Sequence, residues 1–539
     1  MTLPRTVADV LSRHVSFEIE SIDRMYLNVY QPRLQHTGGA AGFFVGHRGF
    51  TYASSALMAQ MTEVFVADLH HFIAVHDVPL VHFAKGQRKD DVLHEHLQGH
   101  DGSEGVLFVG RAQEKTTVIS STRRRNPVTG AAYAWLVHTN AMVNQFYVYC
   151  FDDDFGPFFI KFCSYFPFTA KLCINGNEWA KRQVGKAGIG FTALDNGFAA
   201  VQDPAAVQAI CDQLGPEQID ALLRKWLRLL PHPFTVEDQA AGYRYEISIL
   251  QAEFSLTQML DRPVSGRIFF EQVIRDNLDI GRPDQVGLVF NRRIHTKGRN
   301  KTPGRFNTRV VTIGVIPSLH VDYKHNKIKQ YHKEGRALRT ETTINDTRDF
   351  GINKGLNNLP ALREVGFTAN RRLLRVQRIS HDPITGAAAF STVNHPVDID
   401  GQHAAALRFG DPRSQALLAT LLTFRLHPNG FTNRDLRIHL AALLSADPDT
   451  WPTGRATYDL RRLRLHGLIQ RIPHTHRYQV TDTGLHHALF LTRVHDRLIR
   501  TGTAHLTDPD PPTRSPLRAA ARAYNTALDR ITRQAGLAA

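Results

Sequence analysis

The chain has only four cysteines in 539 residues, Cys150, Cys163, Cys173 and Cys211. No two are spaced as CxxC, which excludes a zinc knuckle and a disulfide scaffold and points to free thiols in a reducing compartment. Long apolar runs are also missing: none approaches the roughly 18 residues that a spanning helix needs. The opening MTLPRTVADVLSRH lacks the apolar core of a signal peptide, so a cytoplasmic protein with no membrane partner is expected. Acidic residues are in short supply, 50 against 65 Lys plus Arg, for a formal charge of +15. That excess favours a polyanionic partner, DNA first and RNA second. With 42% hydrophobic and 21% charged residues the composition is globular. At about 150 residues per domain the length suggests three or four units. No repeat of fixed period is visible.

The expected class is α+β and multidomain. Residues 1–205 read as an α/β part. A helical pattern spans Ser55 to His76, apolar runs follow at Val78 to Phe83 and Val106 to Val109, and an aromatic-rich hairpin flanks the turn-like Asp152 to Pro157. Residues 206–300 read as helical. Gly215-Pro216-Glu217 starts a helix whose Ile219, Leu222, Leu223, Trp226, Leu227 and Leu230 share one face, and a capping box at Thr235 opens another helix toward Glu253. Residues 301–410 read as a β-rich polar sheet followed by a helix from about 358 to 378, with 383 to 410 irregular. Residues 411–500 form a helical unit with a hairpin. Residues 501–539 hold the proline-rich TDPDPPTRSP and a last helix from Pro516 to Ala535.

From Ser414 to Leu498 the order is helix, helix, helix, hairpin, helix, with Thr432 or Asn433 as a cap and Pro473 to His476 as the hairpin turn. The motifs YDLRRLRLHGLI and RIPHTHRYQVT in this order resemble winged helix-turn-helix domains, including those of MarR-type regulators. The resemblance implies a recognition helix carrying Arg455, Thr457, Arg461 and Arg464, and a wing carrying Arg471, His474, His476 and Arg477. Such a helix meets base edges in the major groove while the wing straddles phosphates. Winged helices also serve as protein or RNA interaction modules, so that alternative stands beside DNA binding. The broken basic segment Asn291 to Arg309, with Arg292, Arg293, Lys297 and Arg299, reads as a flexible nucleic-acid-binding loop.

The central stretch SLHVDYKHNKIKQYHKEGRALRTETTIND offers chemistry. The period of two places His320, Asp322 and Lys324 on one face, Lys329, Tyr331 and Lys333 on the next strand, and Arg339, Glu341, Thr343 and Asn345 on a third. Imidazole with carboxylates suits a divalent cation, Mg2+ or Mn2+, here at His320, Asp322 and Glu341. Tyr331 as nucleophile, with Glu341 and Lys333 beside it, would suit strand cleavage. The arrangement resembles the sheet of rolling-circle replication initiators and relaxases. Their His-hydrophobic-His motif reads His320-Val321-Asp322 here, and their tyrosine usually lies on a helix. The alternative is a sheet that only binds, with cross-strand ion pairs.

Elsewhere, His94-Glu95-His96-Leu97-Gln98 lacks the second histidine of a zinc protease. The loop from Phe83 to Asp91 lacks P-loop spacing, and Asp152, Asp153 and Asp154 read as turn residues. Across nearly its whole length, through KGQRKDD, FGPFFIKFCSYFP and QYHKEGRALRTETTIND, the chain resembles a widespread group of uncharacterised bacterial proteins, which implies a bacterial origin and no mechanism. The leading expectation is a DNA-binding protein of a mobile-element or replication context with metal-dependent strand cleavage. The alternatives are a non-catalytic transcription regulator and a structured-RNA-binding protein.

Overall fold

The strand Val15–Tyr30 (β1) lies at the middle of the molecule's largest sheet. In its second half Met25, Leu27 and Val29 are buried on one face while Tyr26 and Asn28 point to the other, the period of a strand packed on one side. This computed structural model describes residues 7–84, 86–276, 305–311, 318–333, 336–379, 383–424, 430–447, 451–496 and scattered positions between 519 and 530. They fall into two units, one of Arg13–Ile280 with Gly304–Arg371, the other built mainly from residue 372 onward.

Among the described residues the large sheet of the first unit has eleven strands: β1, β2 (Leu80–His82), β3 (Gly105–Arg125), β4 (Ala132–Asp152), β5 (Gly156–Cys163), β6 (Ala170–Asn175), β9 (Glu246–Leu260), β10 (Arg305–Val311), β11 (Ser318–Lys324), β12 (Asn326–Lys333) and β13 (Ala337–Ile344). A small separate hairpin, β7 (Phe191–Leu194) and β8 (Gly197–Val201), intervenes. The order across the sheet is β10-β11-β12-β13-β9-β1-β6-β5-β4-β3-β2, antiparallel except where β2 meets β3. Outward from the centre, β1-β6-β5-β4-β3 mirrors β9-β13-β12-β11-β10. Among the described residues each run is one strand followed by helix, Ser55–Val75 in one half and Pro263–Asp276 in the other, then a four-strand meander returning to the first strand and a closing helix, Gly176–Lys186 and Leu359–Ile379 respectively. The chain thus carries a two-fold internal duplication of topology, joined along β1 and β9, although no sequence repeat announces it.

Three expectations are corrected here. Residues 1–205, 206–300 and 301–410 are not separate domains, since all three supply strands to the one sheet. The capping box at Thr235 forms, with Asp238 as its partner, but its helix ends at Ala240, and Glu246–Leu260 is the central strand β9. Both faces of β9 are covered from Phe254 to Leu260, where the polar Ser255, Thr257 and Gln258 are buried along with Phe254, Leu256 and Met259, and Ala252 to Thr257 alternates apolar with polar as a strand does. Residues 383–410 are not irregular: they form the helix Pro383–Asn394 and a hairpin of β14 (Val397–Ile399) and β15 (Gln402–Ala404). The stripe from Ile219 to Leu230 is buried as its spacing predicts, on the helix Pro216–Leu229. Most of the aromatics between Phe146 and Phe168 are core.

In the second unit the helices Pro412–Phe424, Asn433–Leu443 and Thr453–Leu465 precede the hairpin β16 (Ile469–Arg471) and β17 (Tyr478–Val480) and the helix Asp482–Val494. Leu417, Leu421, Phe424, Leu436, Leu440, Leu460, Leu463, Ile469, Val480 and Leu485 share one core. Thr432 caps the second helix in a capping box with Asp435. Just before it Phe431 pairs with Tyr478, adding a third short strand segment to the hairpin. The residues 291–304 of the expected basic loop, including Arg292, Arg293, Lys297 and Arg299, lie outside the described residues, as do TDPDPPTRSP and most of the expected last helix. Among the described residues no helix is long and apolar enough to cross a membrane.

Candidate nucleic-acid interface and the polar face of the sheet

The three strands expected to share a polar face do so. Register places His320 opposite Lys329 and Lys329 opposite Glu341, with Tyr331 opposite Arg339 in the adjoining row. At the centre of this face Arg339 is 0% exposed. Its guanidinium donates to Asp23 Oδ2 at 2.6 Å, to Glu341 Oε1 at 2.5 Å and to the Asn196 carbonyl. Asp23 accepts from Asn196 and Asn177 as well. Burial opposes ionisation of both partners. Their mutual attraction outweighs it, so the carboxyl of Asp23 is held below its ordinary range and the Arg339 pKa is raised. Asn196 comes from the turn of the β7-β8 hairpin, whose Leu194 packs on Met259 and Ala337 beside it.

This network decides the fate of the expected catalytic groups. The Tyr331 hydroxyl donates to Glu341 Oε1 at 2.7 Å, and burial followed by the Glu341 charge pushes its pKa far above the ordinary tyrosine value. A phenol so held is the reverse of an activated nucleophile. Lys329 lies 4.3 Å from the Tyr331 ring centre, and Lys333 pairs with Asp195 at 3.3 Å. His320 bonds Ser318 at 2.9 Å, and Asp322 is buried. The expected cation set of His320, Asp322 and Glu341 is therefore not assembled. Among the described residues, three ligand atoms lie within 4.8 Å of one another only at His325, Asp346 and Asp349. There Lys324 and Arg348 already neutralise the carboxylates.

The other half of the sheet carries a second network that the sequence reading missed. Glu114 on β3 accepts from Lys161 and Tyr147, and from Lys89 at 3.1 Å. Burial would raise its pKa, but these three donors lower it to about 2. Each half of the duplication thus seats a Tyr-Glu-cation triad: Tyr331, Arg339 and Glu341 come from adjoining strands, whereas Glu114 gathers partners 25 to 47 residues away. Asp23 and Arg339 are 316 residues apart, beyond the reach of any local pattern.

In the second unit, Arg455, Tyr458, Arg461 and Arg464 recur at every third residue and are exposed along the helix Thr453–Leu465. Its inward residues serve the fold: Asp459 accepts from Arg413 at 2.5 Å, Arg462 donates to the carbonyls of Ala405 and Ala406, and His466 is held between the carbonyls of Thr392 and Ala405. Arg464 keeps only an exposed bond to Gln402, and Arg455 lies 5.4 Å from the ring centre of Trp451. Thr457 bonds Asn433 and the Thr453 carbonyl. Arg471, His474 and His476 are exposed on the hairpin, whereas Arg477 is half-buried and donates to the Gly430 carbonyl. No family model, no curated protein and no solved structure matches the chain.

Proposed function

We propose that the protein binds duplex DNA through the second unit, with Thr453–Leu465 as recognition helix and the β16-β17 hairpin as the wing of a winged helix-turn-helix. The observation that carries this reading is the division of arginines on one helix. Arg462 is consumed by the fold, while Arg455, Arg461 and Arg464 stand exposed beside the exposed Arg471, Thr457 and Tyr458. A helix of that form suits the major groove, and cations on an adjoining hairpin suit the flanking phosphates. Arg477 supports the hairpin from beneath, so it acts as a positioning residue. In this reading the polar face of the large sheet is architecture, because Glu341 is saturated by Arg339 and Tyr331.

The test begins with selection of a preferred sequence from a random duplex pool by the full-length chain. Arg461→Ala and Arg464→Ala are then measured against that sequence and its point variants. A base-reading arginine should lose roughly 1–3 kcal/mol and relax one position, and a phosphate contact should weaken all sequences alike. Affinity unchanged in both variants contradicts the assignment.

A further inference from the structure

Beyond Ser121 and before Trp135, β3 and β4 leave the body of the sheet unit as a two-stranded ribbon. The root is fixed: the Ser121 amide donates to Ser55 Oγ at 2.7 Å, and the Ser55 amide donates back to Ser121 Oγ at 3.0 Å. From Thr122 to Tyr133 every residue is exposed. At about 3.3 Å per residue the paired part projects about 13 Å before its turn. Edge strands of this length are normally shielded or charged to prevent pairing with other chains. Here the charge has one sign only. Between Lys115 and Phe151 the sequence contains no Asp or Glu, while Arg123, Arg124 and Arg125 lie side by side at the tip.

The tip is also built to hold its shape. The Asn126 side chain accepts from the amides of Val128 and Thr129 at 2.8 and 3.2 Å, and Gly130 takes φ +68°, a region that favours glycine. Register sets Arg124 opposite Tyr133 and Thr122 opposite Trp135, and the Arg124 guanidinium lies 4.6 Å from the Trp135 ring centre. Arg123 and Arg125 point to the opposite face. The apex, Pro127 and Val128, is apolar, with Val128 90% exposed. β10 and β11, the corresponding pair of the other half, are 7 residues each against 21 each for β3 and β4, so the ribbon has no counterpart among the described residues there.

We propose that the β3-β4 ribbon is a DNA-gripping arm: Arg123, Arg124 and Arg125 neutralise phosphates along a groove of duplex DNA, and the Pro127-Val128 apex meets the base pairs. Two-stranded ribbons enter DNA grooves, and apolar wedges of this size unstack base steps and bend the duplex. The proposal shares with the function above only the choice of duplex DNA as partner. It uses different residues in a different unit.

The test uses the full-length chain and a 40-bp duplex carrying a donor and an acceptor fluorophore at its ends, with the length of ~40 bp chosen to exceed any single-module footprint. Replacing all three arginines by Ala should weaken binding tenfold or more and make the salt dependence shallower by up to about 2.7, at about 0.9 per phosphate. The three-fold Lys variant should keep the slope. Pro127→Ala with Val128→Ser should reduce end-to-end transfer on binding with less effect on affinity. These positions are exposed, and unchanged thermal melting of each variant confirms that the fold is intact. If the wild type binds but the three-fold Ala variant binds equally well, the arm proposal is overturned and the recognition-helix reading stands. If the Ala variant loses affinity while Arg461→Ala and Arg464→Ala do not, the arm stands and that reading fails. Binding of polyglutamate as tight as binding of the duplex would mean an acidic protein partner and would overturn the proposal.

Discussion

Arg339 illustrates how one side chain commits a face of the sheet. It is fully buried and meets two carboxylates, so removing Arg339 strands the buried Asp23 carboxylate, and removing Asp23 leaves the guanidinium with only one of its two counter-charges. Breaking such a pair costs about 3–5 kcal/mol, whereas replacing the whole set by apolar residues costs far less. Asp23→Asn and Arg339→Met should each lower unfolding stability by that amount in urea titrations, and the double variant should lose less than the sum of the two. Equal and additive small losses would mean the pair is not a unit. Glu114 offers a pH signature. Its folded pKa of about 2 lies below the ordinary 4.5, so its contribution is fully present above pH 4.5 and is lost as pH falls toward 2. The stability gap between wild type and Glu114→Gln should therefore close across that window in acid-unfolding curves, and a constant gap would contradict the assignment. At this scale the sequence was partly legible. Period-two reasoning grouped Tyr331, Arg339 and Glu341 correctly because it needs only local spacing. It could not foresee that Asp23 and Asn196 arrive from elsewhere and convert a face that looked catalytic into one that holds the sheet.

Elements bounded by capping and turn residues were readable and the two central strands were not. The helices Ser55–Val75 and Pro216–Leu229 and the β4-β5 hairpin appear where their patterns place them. The first half of the central strand β9 was read as helix because a capping box at Thr235 precedes it, although Ala252 to Thr257 alternates apolar with polar, and β1 drew no assignment. One close packing of elements is directly testable. Gly266, on the helix Pro263–Asp276, faces β12 so closely that a Cβ there would fall 1.7 Å from the His332 ring. His332 itself is half-buried, and this desolvation lowers its pKa to about 4. Gly266→Ala should thus destabilise the fold by about 1–3 kcal/mol through overpacking, and His332→Ala in the same chain should recover part of the loss. Thermal melting of the three variants measures this, and no recovery in the double variant would place the strain elsewhere. Because the folded pKa of His332 lies below the ordinary 6.5, protonation favours the unfolded chain and stability falls between pH 6.5 and 4.

At the scale of the whole chain, the duplicated sheet explains why the segments that composition suggested as domains do not stand alone. β1 and β9 pair along nearly their full length across a separation of more than 200 residues, and each supplies the neighbour that covers the other's edge. Residues 1–244 expressed alone should aggregate, while the same fragment coexpressed with residues 245–539 should copurify as a complex. A soluble, monomeric 1–244 fragment would contradict the shared sheet. The element order of residues 411–500 was legible because its helices are amphipathic and its turns are marked by Gly, Pro and capping residues, whereas the topology of the sheet depends on contacts that no local pattern records. The central claim, that this excess of basic charge serves duplex DNA, is tested most directly by the affinity of the full-length chain for duplex DNA as a function of salt. The account predicts a linear fall of log K with log salt, made shallower by up to about 1.8 in the Arg461→Ala, Arg464→Ala double variant at about 0.9 per phosphate contact. No binding at about 50 mM salt, or a variant identical to wild type in both affinity and slope, would contradict it.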